Sequence, residues 1–409
     1  MRRIVVTGIG VVTPLGLEGG ELWSAVSEGR SAIGPVSLFD TRELPGVAAA
    51  ELKDIGTIQF SSRKSVWAIS RSITLGFAAA RLALEDAGVK LKPDEIGSGI
   101  GVAYGSTLGG LAPLAKFDQH ALREGPRFAD PLTFPSTGAS APACQISIML
   151  GLDAFNTTLS NGQSSGLDAI RYASQLIRLS RAHTVIAGGV EEICRETLVS
   201  CYRRRLLAGS KSHSDEPCRP FDHRRSGTVL GEGGAALVLE DLDHALDRNA
   251  SIYAEVAGQG ASFDPSLRMS SKPAAANACM RSALEEAQIG PAQIDAVFAS
   301  ANGSRVGDRV EMQALCNVFG YEHLPAITAM KSMLGESYSA AGAIQSAIAA
   351  LALKHQAIPG TLNFERGDRG CPAGCVVQGT EKRPLSHVMI NAFGQSRSHA
   401  SLVLSSYEN

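Results

Sequence analysis

The stretch of this chain best suited to chemistry is 156–167, Asn-Thr-Thr-Leu-Ser-Asn-Gly-Gln-Ser-Ser-Gly-Leu, with Gln163, Ser164 and Ser165 at its centre. Asn156, Thr157, Thr158, Leu159 and Ser160 form a short Thr-rich run that predicts a strand. Leu167, Ile170, Ala173, Ser174 and Ile177 then recur at helical spacing. A strand that turns through Gly162 into a helix holds one side chain at the helix N-terminus. Unpaired N–H groups there favour a nucleophile's anion or an acyl oxygen. The side chain at that point is the Gln163 carboxamide, which donates and accepts hydrogen bonds but is no nucleophile. Ser164 and Ser165 are expected to cap the helix N-terminus.

Other candidate chemistry is weaker. Gly8-Ile9-Gly10 hints at a dinucleotide loop, but Thr13 stands where the third glycine belongs, so a structural turn after a strand over 3–7 is expected. Of eight scattered cysteines, Cys371 and Cys375 lie four apart, with no second Cys/His pair at zinc spacing. Reduced thiols are expected, and no metal or other bound cofactor.

The elements that must position Gln163 repeat. Arg81-Leu-Ala-Leu-Glu-Asp-Ala87 matches Arg281-Ser-Ala-Leu-Glu-Glu-Ala287, and 96–106 matches 294–304, each an apolar strand running into Gly-Ser. A long amphipathic helix over 64–87, closed by Gly88, precedes the first of these strands. The small-residue helix after Gln163 has its counterpart in 340–353, and strands at 185–187 and 388–391 each run into a Gly turn. Helix, loop and strand in the same order twice indicate a duplicated α/β unit around a buried sheet. The division falls near residue 250, giving halves 1–250 and 251–409.

With 43 glycines and only 19% charged residues, the composition suits tight α/β packing with close helix contacts. A net charge of −2 gives no electrostatic case for nucleic acid or an anionic membrane. No run of 18 apolar residues occurs and the first residues enter a strand directly, so a soluble cytoplasmic protein is expected.

Residues 156–167 resemble the nucleophile turn of β-ketoacyl synthases, with Gln163 at the cysteine, as in the chain length factor branch of that family. The resemblance covers the whole chain: the opening 3–16, Ala187-Gly-Gly-Val-Glu191, Arg219-Pro-Phe-Asp222 with Arg225, Gly227 and Gly231-Glu-Gly233, and Asn391-Ala-Phe-Gly394. It implies a thiolase fold, duplicated α/β halves in five layers with the site between them. It also places Asn302 and Glu336 at the two catalytic histidines, while Lys331 and Glu311 remain where the family has a buried Lys and Glu. None of the nine histidines falls in either slot, and His399 is expected to be a partly exposed surface histidine. Catalytic residues are therefore expected to be absent, with Gln163, Asn302 and Glu336 replaced together and Lys331–Glu311 left as a structural pair. Phe393 matches the family's gate, but Gln395-Ser-Arg-Ser in place of its glycine-rich run implies a fixed loop.

The resemblance implies a subunit that pairs with a Cys-bearing ketosynthase and sets the chain length of a type II polyketide or polyene. An acyl carrier protein, through its phosphopantetheine, would be the further partner of the pair. Strand 156–160 would pair across the dimer axis, and 131–152, with Phe134, Gly138, Ala139, Ser140 and Ala141, would reach the partner's tunnel. Two alternatives are a Gln-type decarboxylase of malonyl-carrier protein, which in the family keeps both histidines, and a solitary acyl-binding homodimer.

Overall fold

The computed structural model describes residues 2–53, 55, 69–91, 99–210, 212, 216–266, 272–368, 370–372 and 374–407. Among them, ten strands form one mixed sheet. Its order is Ala326–Thr328, Ala296–Phe298, His387–Phe393, Ser398–Ser405, Ala254–Phe263, Ile4–Val12, Gly233–Asp241, Thr184–Glu191, Ile100–Gly105, Asn156–Leu159. Each half follows one pattern: two antiparallel pairings from the centre outward, then two parallel ones. The halves meet where Val5 and Val6 pair with Glu255 and Ala254.

Helices complete five layers. Ser165–Arg178 and Ser339–His355 lie between the sheet halves, where Ile170, Ile177, Ile344 and Ile348 share one core with Leu237 and Leu402. Arg71–Asp86 covers the first half from outside through Phe77 and Leu84, and Ala274–Ala287 covers the second through Met280 and Ala283. This is the thiolase arrangement, and the matched segments 81–87 and 281–287 occupy equivalent outer helices.

Several expected boundaries move. The first strand runs Ile4–Val12, through Gly8 and Gly10, rather than ending in a turn. A Cβ at Gly8 or Gly10 would collide with the carbonyls of Ala83 and Ala79, so these glycines let a helix lie directly on the strand. Gly258 and Gly260 do the same beneath Ala283 and Cys279. Gly188 and Gly189 also lie inside a strand, Thr184–Glu191, not in a turn. The helix expected over 64–87 is described from Arg71 to Asp86, with Gly88 left-handed just beyond it; 64–68 lie outside the described residues. The strand expected from Ile96 is described from Ile100, and Ile96 also lies outside them. No helix among the described residues is long and apolar enough to cross a membrane.

Candidate functional site

The strand Asn156–Leu159 ends the sheet, Gly162 turns at φ +70°, a single 3-10 turn spans Gly162–Ser164, and the helix Ser165–Arg178 follows. Gln163 is thereby buried, 4% exposed, at the junction of the two halves. Its Oε1 accepts the Gln395 N–H at 3.1 Å, so the carboxamide holds a donor that would otherwise face the cavity. The neighbouring serines do not cap the helix as expected. Ser164 Oγ instead donates to Asp168 Oδ2 (2.9 Å), which also receives Asn161 Nδ2 (2.9 Å). Ser165 Oγ accepts from Asn161 N (2.8 Å) and donates to Gly162 O (2.7 Å), tying the turn to itself. Asp168, a carboxylate in the helix's first turn, gathers the Ser164 hydroxyl and the Asn161 amide and so ties the turn to the helix.

The second and third positions meet in the buried interior. Asn302 Nδ2 and Lys331 Nζ both donate to Glu336 Oε2 at 2.8 Å, and the other Glu336 oxygen accepts the Tyr338 N–H at 3.0 Å. Lys331 also donates to Ser300 O (2.9 Å). This corrects the expected pairing: Lys331 bonds Glu336, not Glu311. Glu311 lies on the other side of Ser300, accepting its N–H at 2.8 Å and Asn391 Nδ2 at 3.3 Å. Burial raises the Glu311 carboxyl to about 7, partly opposed by the Ser300 hydrogen bond.

Two residues central to this arrangement escaped the sequence reading. Ser300 gives its N–H to Glu311 and its carbonyl to Lys331, and its hydroxyl accepts the Phe393 N–H at 2.9 Å. Asp308 accepts the N–H groups of Asn302 (3.1 Å), Gly303 (3.0 Å) and Phe221 (2.9 Å), fixing the Asn302 turn. An acidic residue in the first turn of the helix Gly307–Phe319 was the available signal for Asp308. Ser300 acts mainly through its backbone and leaves no such signal.

Gln163, Asn302, Ser300, Phe393, Arg397 and His399 line one cavity of about 100 Å³. That is well below the roughly 300–1,000 Å³ of a pocket for a sizeable organic ligand. His399 is half-buried, as a partly exposed residue should be, but it lines this cavity. Its ring stands edge-on to Phe393 at 5.2 Å, its Nδ1 is buried without a hydrogen-bond partner among the described residues, and burial lowers its pKa. It sits there because Phe393 and His399 are paired residues of adjacent antiparallel strands. The loop between them is held at several points. Gly394 N donates to Ser398 O (2.9 Å), Ser396 Oγ donates to Asn161 O (2.8 Å), and left-handed Arg397 (φ +75°) donates to Ser266 O.

The residues expected to face a partner divide. Thr157, Thr158 and Leu159 form a half-covered sheet edge, with Asn156 and Ser160 exposed at its ends. Phe134 is 62% exposed, and Gly138 and Ser140 are exposed, with Ala139 partly covered. Ala141 departs from expectation: it is buried at the start of the helix Ala141–Leu150 and cannot line a tunnel outside this chain.

A five-layer duplicated fold with the Gln163 turn and the Asn302 and Glu336 turns converging between its halves defines a ketosynthase-type protein. The chain belongs to the β-ketoacyl synthase family: residues 1–245 match its N-terminal domain and 253–365 its C-terminal domain. Among its relatives, 3-oxoacyl-[acyl-carrier-protein] synthase 2 of Coxiella burnetii is 33% identical, covering 99% of this chain and 98% of its own. Putative polyketide beta-ketoacyl synthase 1 of Streptomyces halstedii is 32% identical, covering 100% and 99%. The solved ishigamide ketosynthase/chain length factor superposes with a TM-score of 0.92 at 30% identity, covering 100% of both chains.

Proposed function

We propose that this chain is a non-catalytic chain length factor that assembles with a Cys-bearing ketosynthase in type II polyketide or polyene biosynthesis. The observation that carries the reading is the closed network of Lys331, Glu336 and Asn302 beside Gln163. Condensation needs a nucleophile and groups that move or donate protons at the reacting carbonyl. Gln163 and Asn302 do not titrate near neutral pH, and Glu336 is committed to a buried cation. The Gln395 N–H is already used by Gln163.

Assembly is supported by an asymmetry between the outer edges of the two sheet halves. The edge strand Ala326–Thr328 is covered, because Ile327 N donates to Cys375 O (2.8 Å) and Val377 N donates to Ile327 O (2.9 Å). The opposite edge, Asn156–Leu159, ends the sheet among the described residues. Nearby, Phe134 and Ile148 expose 62% and 60% of their surface. Among the described residues no strand pairs on this half-covered edge, and such an edge with apolar neighbours suits a pairing surface. The relatives named for acyl carrier protein and polyketide substrates support a carrier-protein partner for the pair, its phosphopantetheine entering the active subunit.

Co-expression with a tagged Cys-bearing ketosynthase tests the assembly. A one-to-one complex supports the reading, whereas a stable homodimer that ignores the ketosynthase overturns it. Carbon dioxide release from malonyl-carrier protein by the isolated chain would favour the decarboxylase alternative.

A further inference from the structure

The strap that covers the edge strand Ala326–Thr328 carries two of the chain's eight cysteines, Cys371 and Cys375. Its course brings them together. Gly370 (φ +97°) and Gly374 (φ +79°) adopt left-handed backbone around the pair, a conformation side chains rarely allow. A Cβ at Gly367 would collide with the Cys371 sulfur, so a glycine there makes room for the thiol. Cys375 Sγ lies 3.1 Å from Pro372 O and Cys371 Sγ lies 3.9 Å from the same oxygen. Both sulfurs are thus gathered on one carbonyl. Cys371 lines a small cleft with Arg225, Asp368 and Gly370, which gives reagents a path to the pair. Among the described residues, no group of three or more His, Cys, Asp or Glu is placed to hold a metal ion, and all eight cysteines are free.

We propose that Cys371 and Cys375 are an oxidation site that closes reversibly to a disulfide and locks the strap onto the sheet edge. The oxidant is a hydroperoxide. The Cys371 sulfur attacks one peroxide oxygen, the O–O bond breaks, and water or an alcohol leaves with the thiol proton, giving a sulfenic acid. The Cys375 sulfur then attacks the Cys371 sulfur, the S–O bond breaks, and the hydroxyl leaves as water with the Cys375 proton. Two electrons pass from the two thiols to the peroxide. Cys371 is the member of the pair that lines the cleft, whereas Cys375 is buried, which sets this order of attack.

The lock would reach beyond the strap. Asp368 pairs with Arg225 at 2.6 Å, and Arg225 lies 3.9 Å from Asp308, which holds the N–H groups of Asn302 and Gly303. Ordering the strap therefore stiffens the turn that bears Asn302.

The test treats the full chain with hydrogen peroxide, alkylates it under denaturing conditions and maps the adducts by mass spectrometry. The expected result is two adducts fewer than the eight of the reduced protein, a linked 371–375 peptide and full recovery with dithiothreitol. Cys371→Ser should abolish the loss. Cys316→Ser should retain it, although Cys316 Sγ points toward Gly370 O at 3.9 Å. Amide exchange at Ile327 and Val377 should slow in the oxidised protein. Eight adducts after oxidation, a disulfide that includes Cys316, or a 371–375 disulfide with unchanged exchange at both amides would each overturn the proposal.

Discussion

Lys331 Nζ and Glu336 Oε2 lie 2.8 Å apart, with both side chains almost wholly removed from water. This is a buried ion pair. A buried charge left without its partner is strongly destabilising. Glu336→Ala removes the ion-pair partner of the buried Lys331 ammonium and should cost about 3–5 kcal/mol. Urea denaturation measures it, and a loss below about 1 kcal/mol would show that water or another group reaches Lys331.

The Glu311 carboxyl titrates near 7 in the folded chain against an ordinary value of 4.5. Between those values the folded state holds a proton that the unfolded state has released, so this contribution to stability is lost as pH rises. Glu311→Gln keeps an acceptor for the Ser300 N–H and removes the titration. Between about pH 5 and 7, the variant should gain on wild type by up to about 1.4 kcal/mol per pH unit. Parallel stability curves for the two proteins would contradict the assignment.

Several features of the fold and site were legible in the sequence. The strand-turn-helix around Gln163 was, because a Thr-rich run, a glycine and a 3.6-residue period signal the same element. The duplication was legible in the repeated outer helices. Gly8, Gly10, Gly188 and Gly189 misled, since a glycine that admits a helix or another backbone looks the same in sequence as one that makes a turn. The partner of Lys331 was misassigned because a helix turn brings Glu336 back onto it, while Glu311 bonds the far side of Ser300. The partial exposure of His399 was legible, but its place in the cavity was not, because nothing in its local sequence shows that its strand pairs it with Phe393.

Pairing through the edge Asn156–Leu159 gives a direct disruption test. Thr158 is partly covered and its Oγ1 has no hydrogen-bond partner, so Thr158→Asp places a carboxylate in the centre of that edge. Interfaces of obligate pairs often bury more than about 2,000 Å², and an unpaired charge at their core is costly. The variant should dissociate from the ketosynthase on size exclusion and aggregate. An intact complex would move the interface elsewhere.

Chain length should respond to Gly138 and not in the same way to Ala141. Gly138 is exposed, with only Ser140 atoms near its missing Cβ, so Gly138→Phe projects a ring out of this chain toward the partner. Product masses should shorten by two-carbon units while the first condensation persists. Ala141 is 5% exposed, and Ala141→Phe overpacks this chain's own core, typically costing about 1–3 kcal/mol. Unchanged products with Gly138→Phe in an intact complex would place the tunnel floor on another segment.

Restoring one group should not restore chemistry. Isolated Gln163→Cys gains a thiol, but Asn302 and Glu336 still occupy the other two positions, so no ketide extension is expected from malonyl-carrier protein. Extension by that variant alone would show that the missing imidazoles are dispensable.

The central claim is that this subunit shapes a product made wholly by its partner. The most direct measurement is ketide formation by the purified pair after the partner's nucleophilic cysteine is changed to alanine. With this chain left intact, the account predicts complete loss of condensation. Ketide formation by that complex would mean that this subunit performs the chemistry itself, and would contradict the account.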